Sequence, residues 1–331
     1  MAKEVFLKTD PENQKDIYRA MSERLGKSEQ ILEKDVWVCL VLDALFSMPD
    51  ALRMAFKGGT SLSKAYSLID RFSEDIDVTI DFRDFIDDDP YKQTSKSKIK
   101  KMREKLETSL QQYIESTILP NLKAKLPNAV GCPIEIKIAG GDKVEIHYQP
   151  ACVQQSEYIK PFVLLEFGAR NVTVPSSLRQ IIPYISKEVP SLQFPSATVN
   201  VYALERTFWE KITMMHVECN RGKFKANADR LSRHWYDVII LYLSGQVLPI
   251  VENKYLLKEV VEHKTVLFPE SYAEYEKCLG GDFNLIPQGE QLEELKKDYE
   301  NMVNSGMFHH KPHSFKELMS LISELQIKLS A

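Results

Sequence analysis

FKGGTSLSKAYSLIDRFSEDIDVTI, residues 56–80, is the stretch from which the fold is read. Residues 54–57 feed a turn at Gly58 and Gly59. After the turn, Leu62, Ala65, Tyr66 and Ile69 fall at helical spacing, with Thr60 and Ser61 suited to starting that helix. The following run, DIDVTIDF, alternates polar and apolar residues and is rich in Ile, Val and Thr, the pattern of a half-buried strand. The unit reads strand, Gly-Gly turn, helix, strand. Successive strand residues point to opposite faces, so Asp75 and Asp77 share one face about 6 to 7 Å apart while Ile76 and Val78 take the other.

Each part of this unit has a chemical use. Glycines take tight backbone angles and let a ligand approach closely, and N–H groups at the start of a helix favour phosphate oxygens. Magnesium prefers hard oxygen ligands, a few protein carboxylates together with substrate phosphates, and two such ions stabilise the attacking and leaving oxygens of an in-line displacement. Asp75 and Asp77 fit that role, although acidic residues on an exposed strand face are more often only solvated, and Arg71 nearby strengthens the pattern. A third carboxylate is expected at Glu166, which interrupts the apolar strand FVLLEF at 162–167. A buried glutamate there needs either a metal or a partner such as Arg170.

Working outward, the 331 residues allow one elaborated domain or two smaller ones. Residues 11–56 are mostly helical, with a buried second half, and a helix is expected from about Lys98 to Lys123 after the acidic break at 87–90. IEIKIA at 134–139 and KVEIHY at 143–148 form a hairpin through Gly140, Gly141 and Asp142, with FVLLEF as the next strand. Strand signals stop after VNVYAL, and helices are expected near 203–219, 229–244, 250–265, 289–305 and 315–329.

Composition bounds the function. With 44% hydrophobic and 27% charged residues and no apolar run of membrane-spanning length, a cytoplasmic protein with no membrane partner is expected; the N-terminus has no secretory pattern. The five cysteines are scattered singly, which argues against a disulfide framework. A net charge of −4 gives no global case for nucleic-acid binding, although Lys92–Lys105 and Arg221–Arg233 supply local basic segments. His309, His310 and His313 lie together without a matching acidic or cysteine set, a poor zinc site.

The stretch from Phe56 to Ile80, together with EKDVWV at 33–38, ALERTFWEKITMMH at 203–216 and RLSRHWYDV at 230–238, resembles the AbiEii/AbiGii-type toxin family of the DNA polymerase β nucleotidyltransferase superfamily. The resemblance implies an α+β fold: a nucleotidyltransferase core, a mixed β-sheet flanked by helices, over residues 1–201, with a C-terminal helical domain over 202–331 completing the cleft. It implies magnesium-dependent use of a nucleoside triphosphate, an RNA acceptor with a tRNA 3′ end as the specific case (MenT relatives act on tRNA), and action as the toxin of a toxin–antitoxin or phage-defence system with a cognate antitoxin. Carried over, Gly58, Gly59, Thr60 and Ser61 are the phosphate-binding motif, Asp75 and Asp77 the metal ligands, Lys211 the motif lysine and Asp237 the motif aspartate. Lys211 also stands out physically, because Leu204, Phe208 and Met215 place its ammonium on an apolar stripe, where it answers a triphosphate, Glu210 or Glu218, or snorkels to water. By spacing alone Asp237 is an i,i+4 partner of Arg233. Two other readings stay open: a nucleotide-binding partner protein without transferase activity, and a transferase acting on a small molecule or protein.

Overall fold

A computed structural model describes residues 3–93, 95–153, 159–225, 230–247, 249, 251, 254–308 and 310–330. The chain divides into two compact units, the first formed by residues 1–66, 72–88 and 100–202, the second by 67–71, 89–99 and 203–331.

The first unit begins with two capped helices. Asp10 accepts the Glu12 N–H ahead of α1 (Pro11–Leu25), Pro11 presets the first turn, and Gly26 closes the helix at φ 63°. Ser28 caps α2 (Glu29–Phe46) by accepting the Ile31 N–H. Apolar residues surround α2 on almost every side, and from Gln30 to Leu45 all but Asp43 are buried, as a helix without a polar face must be. Its apolar side chains join those of Phe56, Ile76, Val78, Ile80 and Leu165 in one core.

The sheet has seven strands: β2 (Met54–Lys57), β3 (Ile76–Ile80), β4 (Glu135–Gly140), β5 (Lys143–His147), β6 (Phe162–Gly168), β7 (Ser176–Ile181) and β9 (Ala197–Tyr202), in the spatial order β4-β5-β6-β3-β2-β9-β7. It is mixed, because β6 runs parallel to β3 and β2 parallel to β9 while the other neighbours are antiparallel. A separate parallel pair joins β1 (Glu4–Val5) to β8 (Leu192–Gln193). The hairpin expected at Gly140–Asp142 closes β4 on β5.

Two helices differ from expectation. The helix after the glycine turn, α3, spans only Gly58–Lys64; Ser67 turns the chain at φ 54°, so Ile69 is buried outside the helix despite its spacing. The helix expected at 98–123 is instead α4 (Lys96–Tyr113), a π-helical turn at Ile114–Ile118 and α5 (Leu119–Val130) in one run. Pro120 has no N–H to return to Ser116, and the π-helical turn lies where that i→i−4 bond would otherwise form.

The second unit is helical, with α6 (Leu204–Asn220), α7 (Arg233–Leu243) and further helices at Tyr255–Leu267, Tyr275–Leu279, Glu290–Asn304 and Phe315–Ser330. Trp209, Trp235, Leu257, Leu318 and Ile322 are fully buried in it, and the Trp235 indole N–H donates to the Leu285 carbonyl at 2.8 Å. Of the expected helix positions, Asp229, Ile250, Glu252 and Asn253 lie outside the described residues. Among the described residues no helix is long and apolar enough to cross a membrane.

Candidate active site

In the first unit, alternation along β3 and the residue before it separates Ile76, Val78 and Ile80, fully buried in the core, from Asp75 and Asp77, which stay partly exposed on the other face beside the buried Thr79. Strand register then sets a row of charge across four strands. Lys143 on β5 pairs with Glu166 on β6, Glu166 with Asp77 on β3, and Asp77 with Lys57 on β2. Directly paired residues share a face, so two carboxylates stand between two lysines.

The glycine turn is built against this row. Gly58 has φ 79°, and a Cβ there would lie 2.0 Å from Asp77 Oδ2, so the carboxylate occupies space that only glycine leaves open. Lys57, the residue before α3, supplies no side-chain cap. Thr60 Oγ1 instead donates to the Asp75 carbonyl at 2.5 Å and lies 2.9 Å from Ser73 Oγ, and Ser61 Oγ donates to the Gly58 carbonyl at 2.8 Å. The Thr60 hydroxyl therefore ties the turn to the backbone that presents Asp75, and the Ser61 hydroxyl braces the turn on itself.

Glu166 is neither buried nor paired as its position in FVLLEF implied. β6 alternates, with Val163, Leu165 and Phe167 inward, and leaves Glu166 on the outer face with Leu164. Its partner is Lys143, whose ammonium contacts Oε1; Arg170 contacts Glu107. The hydrogen bond to Glu166 raises the Lys143 pKa, burial opposes it, and the charges of Glu166, Asp142 and Asp75 add to the rise. Among the described residues no three His, Cys, Asp or Glu side chains are grouped to hold a metal. His310 contacts Asp70, and His309 lies outside the described residues.

In the second unit, Lys211 and Asp237 come together. Arg71 donates from Nε and Nη2 to the two Asp237 oxygens, each at 2.8 Å, and Lys211 Nζ is 3.0 Å from Asp237 Oδ2. His234 Nδ1 accepts from Lys211 at 3.1 Å. Burial alone would raise the Asp237 pKa, but Arg71 and Lys211 outweigh it and hold the carboxyl well below its usual range. Burial, with Lys211 and Arg233 beside it, pushes the His234 pKa well down, so the ring is neutral and its Nδ1 lone pair is available. Burial also lowers the Lys211 pKa, against the pull of Asp237. Arg71, taken from sequence as support for the metal pair, is thus the bidentate partner of Asp237.

The family described as nucleotidyl transferase AbiEii toxin, type IV toxin–antitoxin system, matches residues 40–321. The chain belongs to the AbiEii family. It is a nucleotidyltransferase toxin. It is similar to the solved structure of MenT4, a nucleotidyltransferase toxin from Mycobacterium tuberculosis, with 18% identity, 93% of this chain and 98% of that chain covered, and a TM-score of 0.44. A comparison with curated proteins gives no match.

Nucleotidyltransferases of this kind generally use a nucleoside triphosphate and a divalent metal. Asp75 and Asp77 fit such an ion: magnesium takes one or two protein carboxylates beside substrate phosphates, and Gly58 leaves the Asp77 carboxylate its seat.

Sequence reasoning missed the work of the EKD triplet in this AbiEii-family chain. Glu33 accepts from the Ala151 N–H at 2.6 Å and the Cys152 N–H at 3.3 Å. Lys34 pairs with Glu74 at 3.0 Å and donates to the Lys160 carbonyl at 2.7 Å. Asp35 pairs with Lys64 at 2.5 Å and accepts the Tyr184 N–H at 2.7 Å. Through Lys34 and Asp35, α2 grips the segment just before Asp75 and the end of α3. Three consecutive charges between the apolar residues Ile31, Leu32 and Val36–Leu42 were the available signal, since buried charges need partners.

Proposed function

We propose that this AbiEii-family enzyme is magnesium-dependent and transfers a nucleotidyl group from a nucleoside triphosphate to the terminal hydroxyl of an RNA, a tRNA 3′ end being the specific acceptor, in the cytoplasm and under the restraint of a cognate antitoxin. The observation that carries this reading is the seating of the Asp77 carboxylate on Gly58, which joins the acidic face of β3 to the glycine turn that would meet phosphate.

Asp75 and Asp77 would hold magnesium, with Glu166 as a third ligand. When bound, the metal supplies positive charge for the triphosphate and the attacking oxygen. The Gly58 and Gly59 backbone faces the phosphates, while Thr60 and Ser61 hold that turn in shape. Lys211 is the cation assigned to the triphosphate and Asp237 the carboxylate that orients it. The acceptor hydroxyl attacks the α-phosphorus, the bond to the β-phosphate oxygen breaks, pyrophosphate leaves, and the acceptor gains one nucleotide.

The reading is tested by incubating the chain with each α-labelled nucleoside triphosphate, magnesium and total RNA, then resolving the products before and after ribonuclease. Label in small RNA that ribonuclease removes supports it. Label that stays on protein, or on a small molecule, replaces the RNA acceptor with the other class.

A further inference from the structure

The charged row on the sheet sets two claims on Glu166. On one side β5 places Lys143 opposite Glu166, and the Lys143 ammonium contacts the Glu166 carboxylate. On the other, β6 runs parallel beside β3, so Glu166 is the register neighbour of Asp77. We propose that Lys143 is a tethered counter-cation that occupies Glu166 until a divalent cation displaces it, so that metal loading is an exchange of one cation for another. The inference rests on the reading of Asp75 and Asp77 as metal ligands.

Three features support an exchange rather than a fixed structural pair. Lys143 and Glu166 keep 43% and 30% of their side-chain surface exposed, so little is lost when the pair breaks and the ammonium returns to water. Asp75 also acts electrostatically on Lys143, which places the ammonium within the field of the same acidic face. Finally, Asp77 and Glu166 are direct register neighbours on one face of the sheet, so an ion on the Asp75/Asp77 pair stands beside the carboxylate that Lys143 holds. A doubly charged ion that gains Glu166 replaces a single charge held by one exposed pair, so the balance favours the ion. Lys143 follows Gly141 and Asp142 at the end of the β4–β5 turn, where a long flexible side chain is free to swing.

The test is Mn2+ affinity, followed by the electron paramagnetic resonance of free Mn2+, for the full chain and for Lys143→Gln, Glu166→Gln, the double variant and Asp77→Asn, each checked for an unchanged circular dichroism spectrum. An exposed pair of this kind predicts that Lys143→Gln binds Mn2+ about two- to fivefold more tightly than wild type. Glu166→Gln binds more weakly, and Lys143→Gln gains clearly less in the Glu166→Gln background than in wild type, because Lys143 acts chiefly through Glu166 and only the weaker field at Asp75 remains. Unchanged or weaker binding in Lys143→Gln overturns the exchange. So does a gain of equal size in the Glu166→Gln background, which would make Lys143 a general field effect. If wild type and Asp77→Asn bind Mn2+ alike, the metal assignment itself fails and takes this inference with it. Wild-type binding lost in Asp77→Asn but indifferent to Lys143 overturns the exchange alone.

Discussion

Gly58 and Asp77 fit together so closely that a single methyl group on Gly58 would lie 2.0 Å from the Asp77 Oδ2. The relationship follows from the antiparallel pairing of Lys57 with Asp77, which brings the first residue of α3 over Asp77 in β3. The turn and the acidic strand therefore meet at this contact, and a side chain cannot be added at Gly58 without moving Asp77.

Gly58→Ala is expected to disturb that contact twice. A side chain at φ 79° is strained, and the new Cβ forces Asp77 to move; together these cost about 1 to 3 kcal/mol. The melting temperature should fall, and nucleotide transfer should fall further than stability accounts for at a temperature where the variant stays folded. A variant with full activity and an unchanged melt would show that Asp77 can relocate freely.

The buried cluster in the second unit predicts an order of stabilities. Removing the Asp237 carboxylate leaves Arg71 and Lys211 without the anion they share, and breaking a buried pair this way costs about 3 to 5 kcal/mol. Lys211→Ala leaves Asp237 with both Arg71 hydrogen bonds and should cost less. Urea unfolding of Asp237→Ala and Lys211→Ala measures the order, and equal losses would contradict it. Activity of Lys211→Ala, if it folds, then reports on the triphosphate role without a stability artefact.

His234 makes the same cluster sensitive to acid. Its folded pKa is depressed by burial, Lys211, Arg233 and Arg71, with Asp237 opposing, so the unfolded chain takes a proton that the folded chain refuses. Stability from this group is present above the unfolded value and lost as pH falls below about 6.5, at a rate approaching about 1.4 kcal/mol per pH unit. Glu33, pushed up to about 7 by burial, has the opposite slope, because its unfolded form ionises first as pH rises. The useful quantity is accordingly the stability of wild type minus that of His234→Gln. It should shrink from pH 7 to pH 5; a constant difference would contradict a neutral buried ring.

How far the sequence was legible depended on the range of the interactions. The strand, glycine turn and alternating DIDVTI were readable because periodicity and backbone freedom are local, and Gly140–Asp142 marked its hairpin for the same reason. The end of α3 at Lys64 was not, because Leu62, Ala65 and Ile69 keep helical spacing although Ser67 takes a positive φ. Pro120 and Pro127 concealed the continuation of the long helix to Val130. Arg71 and Asp237 are 166 residues apart, so spacing pointed to Arg233 instead. Glu166 was misread as buried because Leu164, on the same face, is apolar yet only partly covered, and finding Lys143 needed the register of β5 on β6. β7 was missed because its middle is exposed, with Leu178 at 72%.

The most direct measurement is transfer of α-labelled nucleotide to RNA by wild type and by Asp75→Ala and Asp77→Ala, with saturating magnesium and after its removal by chelator. The account predicts labelled RNA from wild type with magnesium only, recovery when magnesium is restored, and no transfer by either variant, whose melting temperatures stay close to wild type because both side chains stand on the exposed face. Wild-type transfer rates in Asp75→Ala or Asp77→Ala, or labelling that survives complete chelation, would contradict it.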